Sequence, residues 1–326
     1  MKKNYIVTGG AGFIGSRLAK RLLELGHQVL VLDDLSTGFK RNIPDGAILK
    51  AVDLSDRKKL ESVKLSGKVD CIYHLAAQSS GEASFDDPGR DIESNYRATL
   101  NLLKLCSKIE CDRFIYSSSM SVYGEVPKEV ASISEDYNCR PVSYYGINKL
   151  ASEHLIGIYS KMNDINYTSF RLFSVYGPGQ NMLNMKQGIV SIYLSYIMRG
   201  QPITVKGSLD RFRDLIYVED VVDALVASEM AEKTYNGVFN VGTGKKTTVR
   251  ELLNNILKVY GKNDFNRCVS IKGTTAGDIK GCIADIKKIR KALGWEPTHK
   301  LHEGLSSMKK WLDETADLWR AGSAKQ

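Results

Sequence analysis

A glycine-rich segment near the amino terminus places the strongest constraint on the fold of this chain. The segment TGGAGFIG, residues 8–15, lies between a strand-like run at 5–7 and a helical pattern at 16–25 that ends at Gly26. Glycines at this spacing permit a tight turn, close approach of the backbone to a pyrophosphate, and close packing of helix against strand. The free N–H groups of the helix then face the phosphates. We therefore predict a strand, a phosphate-binding turn and a helix that open a Rossmann-type sheet.

Acidic residues follow the next two predicted strands. Asp33 and Asp34 end the second strand, at 29–32, and Asp53-Leu54 follows the third, at 47–52. A carboxylate after the second strand accepts hydrogen bonds from ribose hydroxyls and repels a 2′-phosphate, which favours NAD over NADP. The alternative is that the two aspartates only begin a turn over 35–38. We expect Asp53-Leu54 to lie at the adenine edge.

Strand and helix patterns alternate along the first half of the chain. Further strands are predicted at 70–74, 113–117 and 168–172, with helices near 91–108 and 144–161. This alternation is typical of βαβ units and a parallel sheet. The predicted fold class is α/β, a Rossmann-type doubly wound parallel sheet with a smaller C-terminal α/β substrate lobe.

The pattern loosens after about residue 175. A strand-like piece at 203–206 and a set of helical patterns follow, near 188–199, 219–231, 247–260, 285–293 and 302–314. We predict an NAD-binding domain over 1–174, its sheet completed by segments within about 210–245. Residues 175–326 would form mostly the substrate-binding lobe, ending in a frayed tail at 321–326.

Charge, cysteine content and hydropathy exclude several classes of protein. Lys and Arg number 46 against 37 Asp and Glu, a net charge of +9 that is spread along the chain and suits an anionic small substrate better than nucleic acid. The six cysteines form no CxxC pair and have no histidine at metal-ligand spacing, so we expect free thiols in a reducing cytoplasm and no metal. We expect no signal peptide and no membrane span.

A tyrosine and a lysine lie four residues apart in the helical pattern near 144–161. Tyr145 and Lys149, in YGINK, share one helix face. A phenol of pKa about 10 is a poor base, but an ammonium group and a positive nicotinamide ring both favour the phenolate. Tyr145 is thus a candidate acid/base for a hydroxyl that is oxidised. A plain surface pair is the alternative, and Tyr144 is the rival phenol, with Asn148 rather than an amine at i+4.

Three serines close the fifth predicted strand. Ser117, Ser118 and Ser119 lie where an open α/β sheet binds its ligands. A hydroxyl there is suited to hydrogen-bond the substrate oxygen that Tyr145 deprotonates. An ordinary polar strand end is the alternative.

Taken together and in order, these motifs resemble the extended short-chain dehydrogenase/reductase family, the NAD-dependent epimerases and dehydratases. The resemblance covers about residues 3–315 and is closest to sugar-nucleotide 4-epimerases of the UDP-glucose type. Besides Asp33 and Asp53-Leu54, it rests on TGGAGFIG, HLAA (74–77), SSSMSVYG (117–124), YGINK (145–149), RLFSVYGPG (171–179), RDLIYVEDVVDA (213–224) and NVGTG (240–244).

The resemblance implies an NAD-dependent isomerase, a homodimer through the helices near 91–108 and 144–161, and three sets of site residues. The implied catalytic set is Ser119, Tyr145 and Lys149. The implied cofactor-binding set is Gly9, Gly12, Phe13, Ile14, Gly15, Asp33, Asp34, Leu35, Ser36, Asp53, Leu54, Leu75, Ala76, Ala77, Asn95, Ser117, Tyr145, Lys149 and Phe173. The implied substrate-binding set is Ser119, Tyr145, Ser174, Arg213, Asp278 and Cys282.

The implied mechanism is reversible oxidation of the sugar at C4. Tyr145 takes the proton of the 4-hydroxyl, NAD takes the hydride, and the 4-keto sugar turns over and is reduced on its other face. Related dehydratases and decarboxylases carry an acidic residue before Val-Tyr-Gly, where this chain has Met120 and Ser121. Epimerisation or 4-keto reduction is therefore favoured over 4,6-dehydration, and a non-catalytic NAD-binding sensor or scaffold is the remote alternative.

The substrate side departs from the family pattern. Arg213 matches a diphosphate-clamping arginine, but Thr275 stands where a second arginine is usual, with Lys272 and Lys280 as candidate replacements. Ser174 stands where many relatives carry asparagine. Cys282 falls at a size-gating position, and a small residue there favours tolerance of N-acetylhexosamine, although a cysteine that simply packs is the alternative.

Overall fold

A seven-stranded parallel sheet forms the centre of the protein in a computed structural model that describes residues 2–65, 67–127, 129–274 and 279–320. The strand order is β11-β6-β5-β4-β1-β2-β3, and every neighbouring pair is parallel. Its strands are β1 (Asn4–Thr8), β2 (Gln28–Asp33), β3 (Ile48–Ala51), β4 (Cys71–His74), β5 (Arg113–Ser119), β6 (Asn166–Leu172) and β11 (Gly237–Val241). This arrangement confirms the predicted Rossmann-type α/β fold.

Three two-stranded sheets lie in the second half of the chain. One of their strands, β7, follows β6 directly in the sequence. They pair β10 (Leu215–Tyr217) with β7 (Ser174–Tyr176), β12 (Thr247–Thr248) with β9 (Phe212–Arg213), and β13 (Val269–Ile271) with β8 (Ile203–Val205). β11 also comes from this half but joins the main sheet beside β6. The sheet is thus completed by a late segment that lies within 210–245.

Helices cover both faces of the main sheet and build the second lobe. They are α1 (Phe13–Glu24), α2 (Arg57–Glu61), α3 (Gly81–Ser84), α4 (Pro88–Ile92), α5 (Ala98–Lys108), α6 (Tyr144–Met162), α7 (Ile189–Met198), α8 (Val218–Ala227), α9 (Val249–Val259), α10 (Phe265–Cys268), α11 (Lys287–Leu293), α12 (Leu301–Glu314) and α13 (Ala316–Arg320). Among the described residues, no helix is both long and apolar enough to cross a membrane.

The helix predicted over 91–108 differs from the observed one. α4 and α5 are joined by a wide, π-helical turn at Glu93–Arg97. Such turns insert an extra residue into a helix and occur frequently at functional sites. Apolar periodicity predicts the helix but not this interruption, because the wide turn keeps the same buried face.

Three buried clusters divide the apolar residues, two on the faces of the main sheet and one in the second lobe. Side chains of the main sheet pack against α1 and α8 on one face and against α5 and α6 on the other, with fully buried Val7, Tyr73 and Phe114. A separate core gathers α7, α9 and α12 around Leu253, Ile256 and Met308. A cleft between these lobes therefore has walls that belong to different cores.

Candidate active site

A cleft of about 870 Å³ lies at the carboxyl ends of the parallel strands and extends to the second lobe. The carboxyl edge is where open α/β sheets bind their ligands. The cleft is lined by these predicted site residues: Gly9, Gly12, Phe13, Ile14, Gly15, Asp33, Asp34, Ser36, Asp53, Leu54, Leu75, Ala76, Ala77, Ser117, Ser119, Tyr145, Lys149, Phe173, Ser174 and Arg213.

Three predicted site residues that the structure describes stand apart from this lining. Leu35, Asn95 and Cys282 are not among the lining residues. Asp278 and Thr275 lie outside the described residues, as does the predicted tail at 321–326. The structure thus brings most of the predicted set to one cleft, and the roles of all these residues stay predictions.

The glycine-rich turn forms a backbone cradle at one end of the cleft. Gly9 has a φ of +69°, and a Cβ added there would lie 2.7 Å from the backbone nitrogen of Ala76, so a side chain is excluded. Gly12 begins α1 without any side-chain cap, which leaves the first N–H groups of that helix directed into the cleft. This cradle fits a pyrophosphate.

A buried histidine secures the neighbouring loop. His74 contacts Thr8 Oγ1 through Nδ1 at 2.8 Å and Thr99 Oγ1 through Nε2 at 2.9 Å. Thr8 Oγ1 in turn accepts the backbone N–H groups of Leu75 and Ala76, each at 3.1 Å. Burial lowers the pKa of His74 to about 3, so the ring is neutral and serves to position the loop.

Asp33 joins the glycine-rich turn to the end of β2. Its Oδ2 accepts the Ala11 N–H at 2.9 Å and its Oδ1 accepts the Leu35 N–H at 2.8 Å. Burial raises the pKa of Asp33, while these two N–H groups oppose the rise. Leu35 has a φ of +59° and does not line the cleft, and its backbone thus serves to hold the carboxylate. Each carboxylate oxygen keeps a second lone pair, so Asp33 remains suited to accept ribose hydroxyls.

The proposed acid/base group and the lysine lie on the first turns of α6. Ser143 caps this helix, its Oγ accepting the Gly146 N–H at 3.1 Å. Lys149 Nζ donates to the Ser117 carbonyl at 2.7 Å and lies 5.9 Å from the centre of the Tyr145 ring. Tyr144, the rival phenol, is 43% exposed and packs against Phe85, whereas Tyr145 is 8% exposed. Tyr145 lines the cleft, whereas Tyr144 is not among the lining residues.

Burial shifts both groups toward their neutral forms. It raises the pKa of Tyr145 to about 12, although a hydrogen bond with Ser119 opposes the rise. It lowers the pKa of Lys149 to about 7, and the carboxylates of Asp91 and Glu153 oppose that fall. The sequence led us to expect that an adjacent ammonium group favours the phenolate of Tyr145. Burial, which the sequence did not reveal, opposes this effect by favouring the neutral forms of both Tyr145 and Lys149. Lys149 titrates near neutrality, so its charge is sensitive to its neighbours.

A buried polar group behind α6 was missed by the sequence analysis. Asp91, fully buried, accepts from Asn148 Nδ2 at 2.6 Å, from Gln78 Nε2 at 2.7 Å and from Asn95 Nδ2 at 3.0 Å. Asn95 also donates to the Gln78 carbonyl at 3.1 Å, which explains its position outside the cleft wall. The chain spacing of these residues gives no signal, because contact between α4 and α6 brings them together.

A second buried network supports the serine strand. Ser118 Oγ donates a short hydrogen bond to Glu153 of α6, and Glu153 forms a buried ion pair with Arg171 at 2.7 Å. Arg171 also donates to Tyr123 Oη at 3.1 Å. The network ties β5, α6 and β6 together directly behind Ser119 and Tyr145.

A cationic residue, Arg213, lines the cleft on the side of the second lobe, and a buried cysteine, Cys282, lies near it. Arg213 donates to the Phe212 carbonyl at 2.7 Å and to the Ile279 carbonyl at 3.2 Å. Burial and the nearby Arg211 lower the pKa of Arg213 to about 10, so it stays charged at neutral pH. Cys282 is buried near this arginine, and burial raises the pKa of its thiol to about 12. Ser174 Oγ contacts Met120 Sδ at 3.8 Å.

The residues present fit an NAD-type dinucleotide. The cradle of Gly9 and Gly12 suits the pyrophosphate, Asp33 suits a ribose diol, and Tyr145 and Lys149 line the same cleft.

Comparison with known proteins leads to the family. The profile of the NAD dependent epimerase/dehydratase family matches residues 5–242. UDP-glucose 4-epimerase of Mycolicibacterium smegmatis is 35% identical over 314 residues, which cover 92% of this chain and 96% of that protein.

Two solved structures are similar over nearly the whole chain. UDP-glucose 4-epimerase of Thermotoga maritima, with UDP-glucose, superposes with a TM-score of 0.91 at 34% identity and covers 96% of this chain and 99% of its own. UDP-N-acetylglucosamine 4-epimerase of Methanobrevibacter ruminantium, in complex with UDP-N-acetylmuramic acid, superposes with a TM-score of 0.87 at 31% identity. The match covers 97% of this chain and 100% of that chain. With its fold, its cleft and these similarities, the chain belongs to the NAD-dependent epimerase/dehydratase family of extended short-chain dehydrogenases/reductases.

Proposed function

We propose that this protein is an NAD-dependent sugar-nucleotide 4-epimerase, an isomerase that inverts a hexose at C4. The observation that carries the proposal is that Ser119, Tyr145 and Lys149 line the same cleft as the glycine-rich cradle. Its UDP-glucose and UDP-N-acetylglucosamine 4-epimerase relatives support it.

Bound NAD would supply a two-electron acceptor that returns the electrons to the same substrate, so no net oxidation occurs. Tyr145 is placed to take the proton of the 4-hydroxyl and to give it back. Ser119 would orient that oxygen, since it lines the cleft together with Tyr145. Lys149, when protonated, provides the positive charge that favours the phenolate.

The residues beside Ser119 favour epimerisation over elimination. Met120 and Ser121 line the cleft, and Ser119 Oγ donates to Ser121 Oγ at 3.2 Å. Neither residue carries a carboxyl group, so neither can serve as the acid that loss of water from C5 and C6 requires. A 4-ketoreductase uses the same three residues and is the second candidate.

We propose a nucleoside diphosphate as the anchor of the sugar. Arg213, at the end of the cleft opposite the glycine-rich cradle, has the fork of donors that suits a phosphate. Ser174 lines the same cleft, and its Oγ contacts Met120 Sδ. The small side chain of Cys282, behind Arg213, supports tolerance of a 2-acetamido group.

We further propose a cytoplasmic homodimer. Apolar side chains are exposed on the helices expected at the dimer contact, Ile92 on α4 and Tyr144, Ile147 and Ile158 on α6, with exposed fractions of 43–66%. All six cysteines are unpaired, in keeping with a reducing compartment. Sedimentation should give twice the mass of 36.3 kDa, and a monomer at micromolar concentration would contradict the dimer.

The decisive test uses purified protein with no added cofactor. Incubation with UDP-glucose or UDP-N-acetylglucosamine should yield the 4-epimer, which ¹H NMR identifies from the coupling constants of the sugar ring. Turnover that depends on added NAD(P)H and consumes it in proportion to product would replace the epimerase with the ketoreductase. A 4-keto-6-deoxy product would establish the dehydratase instead.

A further inference from the structure

The loop that follows β2 forms one wall of the cofactor end of the cleft. We call residues 34–42 the cofactor segment, because Ser36, Thr37, Gly38, Phe39 and Asn42 line the cleft beside the glycine-rich turn. Apart from a single 3₁₀ turn at Lys40–Asn42, the segment has no regular structure. Its position therefore depends on individual contacts.

On its inner side the segment is fixed to the glycine-rich turn. The Phe39 N–H donates to the Ala11 carbonyl at 3.0 Å, and Asn42 Nδ2 donates to the same oxygen at 2.9 Å. A Cβ added at Gly38 would lie 2.8 Å from Ala11, so the two backbones are in close contact. Any outward movement of the segment must break these two hydrogen bonds.

On its outer side the segment contacts the carboxyl-terminal helices. The rings of Phe39 and Trp319 meet edge to face, with centres 5.9 Å apart and planes inclined by 75°. The Arg41 guanidinium lies 4.1 Å from the centre of the Phe39 ring and 5.1 Å from that of Trp319. We call Phe39, Arg41 and Trp319 the aromatic clasp.

The helices α12 and α13 hold Trp319 in this orientation. Trp319 Nε1 donates to Thr315 Oγ1 at 3.0 Å, and its ring lies 5.6 Å from that of Trp311. Trp319 is 7% exposed and belongs to the core of the second lobe. The clasp thus joins a loop of the cofactor-binding half to the core of the substrate half, 280 residues later in the chain.

Space beside the clasp allows the segment to move. A second cleft of about 630 Å³ lies between residues 41–45 and the side chains of Trp311, Leu318 and Trp319. The clasp lies at the edge of this cleft, so weakening it leaves the segment room to swing away from Ala11.

We propose that the aromatic clasp slows NAD release by holding the cofactor segment against the glycine-rich turn, with Trp319 as the positioning residue. A dinucleotide lying in the cradle leaves when the segment opens, and opening separates Phe39 and Arg41, which move with the segment, from Trp319. Aromatic and cation–π contacts of this kind stabilise the closed position. The proposal concerns the cofactor alone and holds for an epimerase or a reductase.

The test measures the rate at which the holoenzyme loses NAD, without any sugar substrate. Protein loaded with NAD is diluted into excess ADP-ribose, and retained NAD is measured over time by filtration and an enzymatic cycling assay. We expect Trp319→Ala to release NAD about tenfold faster and Arg41→Ala about threefold faster. Trp319→Phe, which keeps an aromatic edge, should stay within about threefold of the wild type.

Leu318→Ala is the matched control, because Leu318 is on the same helix and 40% exposed but makes no ring contact with Phe39. Its release rate should equal that of the wild type. If Trp319→Ala does not fold, Arg41→Ala carries the test, since Arg41 is exposed. Wild-type release from folded Trp319→Ala or from Arg41→Ala would overturn the proposal, as would equal acceleration in Leu318→Ala.

Discussion

The two halves of the cleft are built in different ways. The cofactor half uses the edge of one continuous parallel sheet, where the ends of β1, β2, β4 and β5 lie side by side in fixed register. The substrate half uses a two-residue strand, Phe212–Arg213, paired with Thr247–Thr248, and carbonyl groups from near Ile279. The first half is fixed by the ladder of a large sheet, and the second by contacts between distant short segments.

Because the two halves are built differently, we expect substitutions in them to change different kinetic constants. Side chains on the sheet edge and on α6 are held by buried networks, so changes there alter the chemical step while the fold of the site persists. Under the proposed function, side chains of the substrate half would contact the anionic portion of the substrate, and such contacts contribute to binding before and during the reaction alike. We therefore expect changes in kcat from the first half and changes in KM from the second.

The largest effect is expected for Tyr145→Phe. Removal of one hydroxyl abolishes proton transfer, so kcat should fall about a thousandfold, within the usual range for loss of general acid–base catalysis. NAD content and the Kd for UDP should stay unchanged, as measured by nucleotide extraction and calorimetry.

Tyr144→Phe supplies the matched control. Tyr144 is 43% exposed and its ring packs on Phe85, a contact that phenylalanine retains. Turnover should stay within about twofold of the wild type. If the two variants behaved alike, or if Tyr144→Phe were the inactive one, the assignment of the acid/base to Tyr145 would fail.

A smaller effect, confined to KM, is expected for Arg213→Ala. Loss of a charge-assisted hydrogen bond removes about 1.5–3 kcal/mol, which corresponds to a rise in KM of about 10- to 100-fold. The KM of Arg213→Lys should lie between those of the wild type and Arg213→Ala, because an ammonium group lacks the planar fork of a guanidinium. Steady-state kinetics with the nucleotide sugar measure both.

Arg267→Ala is the control for charge, since Arg267 lies on the short helix α10, outside the residues that line the cleft. Its KM should match that of the wild type. A fall in kcat without a rise in KM for Arg213→Ala would refute the expected division between the two halves of the cleft.

The same difference explains what the sequence predicts well. The glycine-rich turn, Asp33 and the Tyr145–Lys149 pair each lie within one short motif, and strand or helix periodicity places such motifs at the sheet edge. The alternation of strands and helices likewise predicts the main sheet, including a late segment that joins it.

The features that the sequence did not predict depend on contacts between distant residues. Asp91 meets Asn148 because α4 packs on α6, and Phe39 meets Trp319 because the last helices return to the first lobe. Desolvation of Lys149 likewise follows from packing of α6 against β5. Local periodicity carries no information on these distances, so neither the partners nor the shifts in pKa follow from it.

The smallest effect is expected for Asp91→Asn, a change behind the wall of the cofactor half. The carboxylate raises the pKa of Lys149, against the burial that lowers it to about 7. Without that charge the pKa of Lys149 should fall by about one unit. The protonated fraction at pH 7–8 then falls, and the alkaline limb of the activity profile moves to lower pH by a similar amount.

Asparagine at position 91 can preserve the packing, because Asn148 is able to turn its amide and accept a hydrogen bond from the new NH₂ group. Glu153, neutral His74 and the phenols of Tyr116 and Tyr145, the other titratable groups near Lys149, are unchanged, which limits the effect to a few-fold loss of kcat at pH 8 and little loss at pH 6. Asp87→Asn, in which the Asp87 N-cap of α4 is replaced by an equally good cap, should leave the profile where it is. A uniform loss of activity at every pH in Asp91→Asn would show that Asp91 acts through packing alone, whereas a displaced alkaline limb would show that its charge sets the protonation of Lys149.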